Sequence, residues 1–111
     1  MHSVQSPRTD DSAIEQEILA KGLIAPRVTP ADIEANIECV EYIEHVSRGG
    51  QILRWAVITT KSGYAVVGRP SVAVSPENDD IEIGTKVALA NSKNELWPLM
   101  GYALKCQLSA S

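Results

Sequence analysis

Residues Ser75 to Leu104, SPENDDIEIGTKVALANSKNELWPLMGYAL, decide the fold. This stretch holds the longest helical pattern in the chain and one of its two tryptophans. Ser75 has the hydroxyl of an N-cap and Pro76 suits a first helical turn, while Glu77, Asp79 and Asp80 complement the positive end of a helix dipole. Asn78 is an equally good cap, so the start is bracketed rather than assigned. Ile83, Val87 and Ala90 then recur at i, i+4 and i+7, a narrow apolar stripe that Asn91 and Asn94 prolong in polar form. Trp97 and Pro98 interrupt the pattern, and Leu99, Met100, Ala103, Leu104 and Leu108 predict a second, short helix. The spacing thus predicts a long helix over 79–94, a bend at Trp97–Pro98, and a terminal helix folding back.

Such a helix needs a surface to cover, and the preceding residues supply one. Gln51 to Thr60, QILRWAVITT, is rich in β-branched and aromatic residues and predicts a strand. Lys61, Ser62 and Gly63 form a turn, and Tyr64 to Gly68, YAVVG, returns as its partner. Upstream, Glu38 to Val46 alternates: Val40, Tyr42 and Val46 face one way, Cys39, Glu41, Ile43 and His45 the other. Arg48, Gly49 and Gly50 make the hairpin tip between them, and Ser71 to Val74 adds a short fourth strand. A meander buries one face, and the long helix is the only element able to cover it. The fold class is therefore α+β, a three- to four-stranded antiparallel meander covered on one face by a long C-terminal helix and a short terminal helix.

Nearer the N-terminus, Thr29, Pro30 and Asp32 repeat the grammar of a helix start, and the brief helix they open carries Ile33 and Ile37. Before it, Asp10 or Asp11 caps a short helix over Ser12 to Lys21, with Ile14, Ile18 and Leu19 on one side and Gly22 as its stop. The first eleven residues are polar and expected to fray. Lys21 to Val28 is the one candidate linker. It divides the chain into an N-terminal extension, 1–27, and a single α+β domain, 28–111.

Composition excludes several function classes. The chain of 111 residues suits one small core, and a net charge of −4 argues against non-specific nucleic-acid binding. No apolar run approaches the roughly 20 residues of a membrane span, and the polar start lacks a signal-peptide core, so a cytoplasmic location is expected. Cys39 and Cys106 are too few for a disulfide framework and lack metal-binding spacing, even with His2 and His45. Neither a metal nor a cofactor is expected.

Catalytic constellations are missing as well. His45 lies in a strand beside Glu44 and reads as a surface residue, not a general base. No nucleophile elbow, phosphate loop or zinc-protease helix motif occurs. Glu77, Asp79, Asp80 and Glu82 read as partners of a helix dipole rather than metal ligands. Arg54, Arg69, Lys86, Lys93 and Lys105 are the basic residues of ordered elements, solvated surface in the first reading and an anion site in the second. Trp97 reads as an anchor for core or interface. The chain is not expected to be an enzyme.

The same stretches carry a longer signature. Lys61, Ser62, Gly63, Tyr64, Val66, Gly68, Ser71 and Ala73 lead into Ser75, Pro76, Glu77, Asn78, Asp80, Glu82, Ile83, Gly84, Lys86 and Ala88. Asn91, Trp97, Pro98, Leu99, Gly101, Tyr102 and Leu104 follow. Together with VTPADIEANI, Val28 to Ile37, this run resembles the family of small phage and prophage proteins named after the gene-49 and gene-66 products of two tailed phages. The resemblance covers about residues 28–108. Asp79 departs from it, standing where the family carries phenylalanine or tyrosine, and Thr85 stands where it often carries arginine.

The resemblance implies a phage accessory protein of the bacterial cytoplasm without catalytic residues. Some relatives are Thoeris anti-defence proteins, oligomeric sponges that sequester cyclic ADP-ribose isomers made by TIR-domain enzymes. It implies a homo-oligomer, at least a dimer, and a small anionic nucleotide signal as ligand. On this reading Arg54, Arg69 and Lys105 meet the phosphates, Asn78 and Asn91 are polar partners, and the Asp79 carboxylate weakens binding. The alternative is a protein–protein module that inhibits or redirects a host factor.

Overall fold

The computed structural model describes residues 11–110, so the expectations of fraying over the first ten residues and of a cap at Asp10, and His2, lie outside the described residues. Helix α1 spans Asp11–Ala20 and helix α2 spans Pro30–Ala35. Strands β1 (Ile37–Val46), β2 (Ile52–Thr60), β3 (Ala65–Val67) and β4 (Ser71–Val72) follow, then a single 3-10 turn at Pro76–Asn78, and helix α3, Ile81–Ala110. This is the α+β architecture expected: an antiparallel sheet, a long C-terminal helix and short helices.

The sheet is built around β2. It pairs along its whole length with β1 in antiparallel register, Val40 opposite Ile58 and Glu44 opposite Arg54. Its other edge is shared, β3 pairing at Val57 to Thr59 and β4 at Leu53 and Arg54. The turns are made where backbone freedom is needed, with Gly50 and Gly63 at φ of 91° and 88°. Helix α2 opens with a full capping box: Thr29 Oγ1 accepts from the Asp32 N–H at 3.1 Å, and Asp32 Oδ2 accepts from the Thr29 N–H at 2.9 Å.

Helices α2 and α3 pack on one face of the sheet, and α1 packs against α2. Ile33 of α2, Ile58 of β2, Val66 of β3 and Leu96 of α3 form the apolar core. Next to it α3 sits unusually low. The Ser92 hydroxyl donates to the Ala56 carbonyl and accepts from the Gly68 N–H at 2.9 Å, tying helix, central strand and edge strand together in a buried position. Gly84, Ala88 and Ser92 are all buried on this face, and their small side chains permit the approach. At Gly68 nothing larger than hydrogen fits, since a Cβ there would press on the Asn91 carbonyl and lie 2.7 Å from the Ser92 nitrogen.

Three expectations for α3 are corrected. Its N-cap is neither Ser75 nor Asn78, which belong to the 3-10 turn, but Asp80, whose Oδ1 accepts from the Ile83 N–H at 2.9 Å. Its buried face is not the Ile83–Val87–Ala90 stripe: Gly84, Ala88, Asn91, Ser92 and Leu96 are buried, while Ile83 is 50% exposed. Closeness of approach, not hydrophobicity, selects the face. Finally, the helix neither bends back nor restarts at Trp97–Pro98; it runs through Pro98 to Ala110, so no separate terminal helix exists. Leu96, Trp97 and Met100 pack on the core on both sides of the proline, which holds the helix through a residue that costs about 3 kcal/mol in a helix interior.

Two substitutions test this packing. Pro98→Ala, at an exposed position, is expected to stabilise the fold by about 2 kcal/mol in urea unfolding. An unchanged or lowered midpoint would show that the proline is accommodated without cost. Gly68→Ala is expected to destabilise by roughly 3 kcal/mol, because the contact it creates is with helix backbone. A neutral result would mean that α3 sits higher on the sheet.

Candidate functional site

Of the six residues expected to bind a ligand, two form one unit. Arg54, only 5% exposed in the middle of β2, directs its guanidinium at the loop that enters α3. Its Nη1 and Nη2 donate to the two carboxylate oxygens of Asp79 at 2.8 and 2.9 Å, a bidentate pair, and Nε donates to Glu44 of β1 at 2.9 Å. The hydrogen bond to Asp79, with support from Glu44, raises the guanidinium pKa still further above its ordinary value, and burial opposes it. Asp79 therefore stands where an approaching phosphate would meet Arg54, but as the arginine's counter-ion. With two carboxylates around one guanidinium, the cluster carries one net negative charge.

A second pair joins at the adjacent edge. Asn91 of α3, buried, donates from Nδ2 to the Arg69 carbonyl at 3.1 Å, so it holds the strand-to-strand connection by its backbone. The Arg69 side chain is exposed, as is Asn78 in the 3-10 turn. Ser71, opposite Arg54 on β4, is wholly buried and its Oγ has no hydrogen-bond partner. Of the four acids at the helix start, Asp79 pairs with Arg54, Asp80 caps the helix and Glu82 lies beside Lys86 at 3.9 Å, while Glu77 is exposed in the 3-10 turn. Among the described residues no group of His, Cys, Asp and Glu is arranged to hold a metal ion.

Lys105 lies elsewhere. Fourteen residues further along α3 than Asn91, it is displaced by about 21 Å of helix rise. There it lines the cleft between α1 and α3, a space of about 420 Å³ walled by Ile14, Ile18, Trp97, Leu104 and Leu108. The cleft is closed at one side by Arg27, whose Nη1 and Nη2 donate to the Glu15 carboxylate at 2.6 and 2.7 Å. That hydrogen bonding holds the Glu15 carboxyl below its usual range. Trp97, half-buried, packs on the core with one part and on the cleft with another. Arg27, Glu15 and the cleft itself were not foreseen from sequence; the apolar pair Ile14 and Ile18, left exposed or half-buried on a helix without a buried residue, was the available signal.

No helix among the described residues is long and apolar enough to cross a membrane. A family model described as "Phage protein (N4 Gp49/phage Sf6 gene 66) family" matches residues 28–108. No curated protein and no solved structure matches the chain.

The Arg54–Asp79 pair is the part of this arrangement most open to test. Removing the Asp79 charge leaves buried Arg54 with only the half-exposed Glu44 as counter-ion, so Asp79→Asn is expected to cost about 3 kcal/mol of stability. Glu44 is half exposed, and Glu44→Gln is expected to cost under about 1 kcal/mol. Equal losses in chemical denaturation would show that Arg54 relies on both acids alike.

Proposed function

The chain belongs to this phage protein family, and from that membership and the α1–α3 cleft we propose a non-catalytic binding protein that sequesters a small anionic signal of nucleotide type. Cyclic ADP-ribose isomers are the class in view, and the biological effect is relief from TIR-based defence in the bacterial host. One observation carries the reading: a cleft of about 420 Å³ is lined by an indole, Trp97, and an exposed cation, Lys105. The volume is that of an ordinary small-molecule site. A purine stacked on Trp97 would be worth roughly 1–3 kcal/mol, and Lys105 offers an ammonium to a phosphate oxygen.

The charges of the cleft limit its ligand. Arg27 is matched by Glu15, and Asp11 also lines the space, which leaves Lys105 to meet one anionic group. Trp97, Gly101 and Leu104 come from the family-matching part, whereas α1 supplies the opposite wall from residues outside it. Ligand choice would then be set by the N-terminal extension. Arg54 and Asp79 act through the fold on this reading, and Arg69 and Asn78 serve the surface. A second reading, a module for a host protein, draws on exposed Ile81 and Ile83 at the start of α3.

Calorimetry with cyclic ADP-ribose isomers tests the proposal. The full chain is expected to bind, and Lys105→Ala to bind at least about tenfold more weakly, the loss of a charge-assisted hydrogen bond. A chain beginning at Val28 is expected to unfold cooperatively yet to bind nothing, because it lacks one wall of the cleft. Absence of heat from the full chain would overturn the reading in favour of the protein partner. Undiminished binding by the truncated chain would move the site out of the cleft.

A further inference from the structure

Strand β1 is the outermost strand of the sheet, and among the described residues only β2 pairs with it. The ladder can be counted from the bond that the Ser47 N–H donates to the Gln51 carbonyl at 2.7 Å. By the alternation of an antiparallel pair, Cys39, Glu41, Ile43 and His45 then bond to β2, while Val40, Tyr42, Glu44 and Val46 turn their N–H and C=O groups away from it. Natural edges are blunted by brevity, proline, lysine or a bulge. The opposite edge follows that rule, divided between β3 and β4 of three and two residues. Strand β1 does not. It runs ten residues, holds no proline or lysine, and keeps a regular register from Cys39 to Val46.

The side chains along this edge say what would pair with it. Tyr42 and Ile43 are about half exposed, on opposite faces of the sheet, and the exposed Glu41 and Glu44 flank them. Glu41 belongs to the face turned away from the helices. Glu44 belongs to the face of Arg54, where two carboxylates around one guanidinium leave a negative charge. Glu38, further back, is already matched by Lys61 at 3.0 Å. An added strand alternates its side chains between the same two faces. Along Glu41 to Glu44 it meets acid, apolar, apolar, acid, so its complement is a cation, two apolar residues and a cation. That pattern reads the same in either direction. A second copy of β1 is a poor occupant, because it brings the same acids.

We propose that the free edge of β1 binds an extended basic segment of another protein by strand addition. Lysine or arginine of that segment lies opposite Glu41 and Glu44, and apolar residues lie opposite Tyr42 and Ile43. Main-chain bonds to Val40, Tyr42, Glu44 and Val46 supply the affinity, and the two acids choose the sequence. Binding of this kind needs a ladder rather than a broad apolar face, and a segment of about six residues covers roughly 20 Å of it. Strand β1 contributes nothing to the walls of the α1–α3 cleft, so the inference stands apart from the ligand assigned there.

The probe is a fluorescein-labelled peptide, TKVIKT, titrated into the full chain and followed by anisotropy. Saturable binding is expected, at least about tenfold tighter than that of TEVIET. Methylating its valine and isoleucine nitrogens keeps both charges and removes a ladder donor in either strand direction, and a loss of about tenfold is expected. Glu41→Lys, at an exposed position outside the core, is expected to weaken TKVIKT by about tenfold. Either TEVIKT or TKVIET is then expected to bind that variant as the wild type binds TKVIKT, and which of them does so reports the direction of the added strand. At saturation, amide exchange is expected to slow at Val40, Tyr42, Glu44 and Val46, and to stay unchanged at Ile43 and His45. Absence of saturable binding overturns the proposal. So does an N-methylated peptide that binds equally well, or a Glu41→Lys variant that neither exchanged peptide suits. Slow exchange at the four amides in the chain alone, deepening with its concentration, would overturn it in favour of a second copy.

Discussion

The Ser92 hydroxyl, shared between the Ala56 carbonyl and the Gly68 N–H, fixes how far the long helix stands from the sheet. Much of the structure follows from that distance. It requires a glycine at 68, where Asn91 backbone occupies the space a side chain would need. It requires small residues at 84, 88 and 92, so among the fully buried residues of α3 hydrophobic bulk appears only at Leu96. It also brings Asn91 within reach of the Arg69 carbonyl, which would be left without a protein donor under a helix packed at the usual height.

The layer between helix and sheet consequently has two halves. Around Ile33, Ile58, Val66 and Leu96 it is a small apolar core. Around Arg54, Asp79, Asn91 and Ser92 it is polar, and specific through directed hydrogen bonds. The bidentate pair joins β2 to residues 25 positions away in the chain and so fastens the loop that delivers α3 to its seat. A buried pair of this kind adds little net stability against well-packed apolar residues, but it tolerates only one placement of the loop.

Periodicity revealed the sheet because each strand alternates or is bounded by glycine, and it revealed α2 because Thr29, Pro30 and Asp32 are local signals. The phase of α3 was not legible in the same way. Ile83 and Val87 are more hydrophobic than Gly84 and Ala88, and nothing within the helix says that proximity would outrank burial. Pro98 misled for a related reason: its penalty is local, whereas the packing of Leu96, Trp97 and Met100 that offsets it is tertiary. Among site residues, Arg54 and Asp79 were both singled out, but as opponents across a ligand. Their partnership depends on the loop at 75–80 passing over β2, which pairing along the chain does not encode. The cleft at Lys105 depends on where α1 lies, again a matter of tertiary placement.

A helix of 30 residues is about 45 Å long, while a strand of nine residues is about 30 Å. The last turns of α3 thus overhang the sheet, and among the described residues α2 and α1, the latter with no buried residue of its own, lie beside them. The two ends of one helix are consequently expected to open on different timescales. Amides near Ser92 are expected to exchange with solvent only when the whole domain opens, and those beyond Gly101 by local fraying. Anything bound in the cleft would be held by the more rapidly breathing end, and its residence time would be set there rather than by the stability of the sheet.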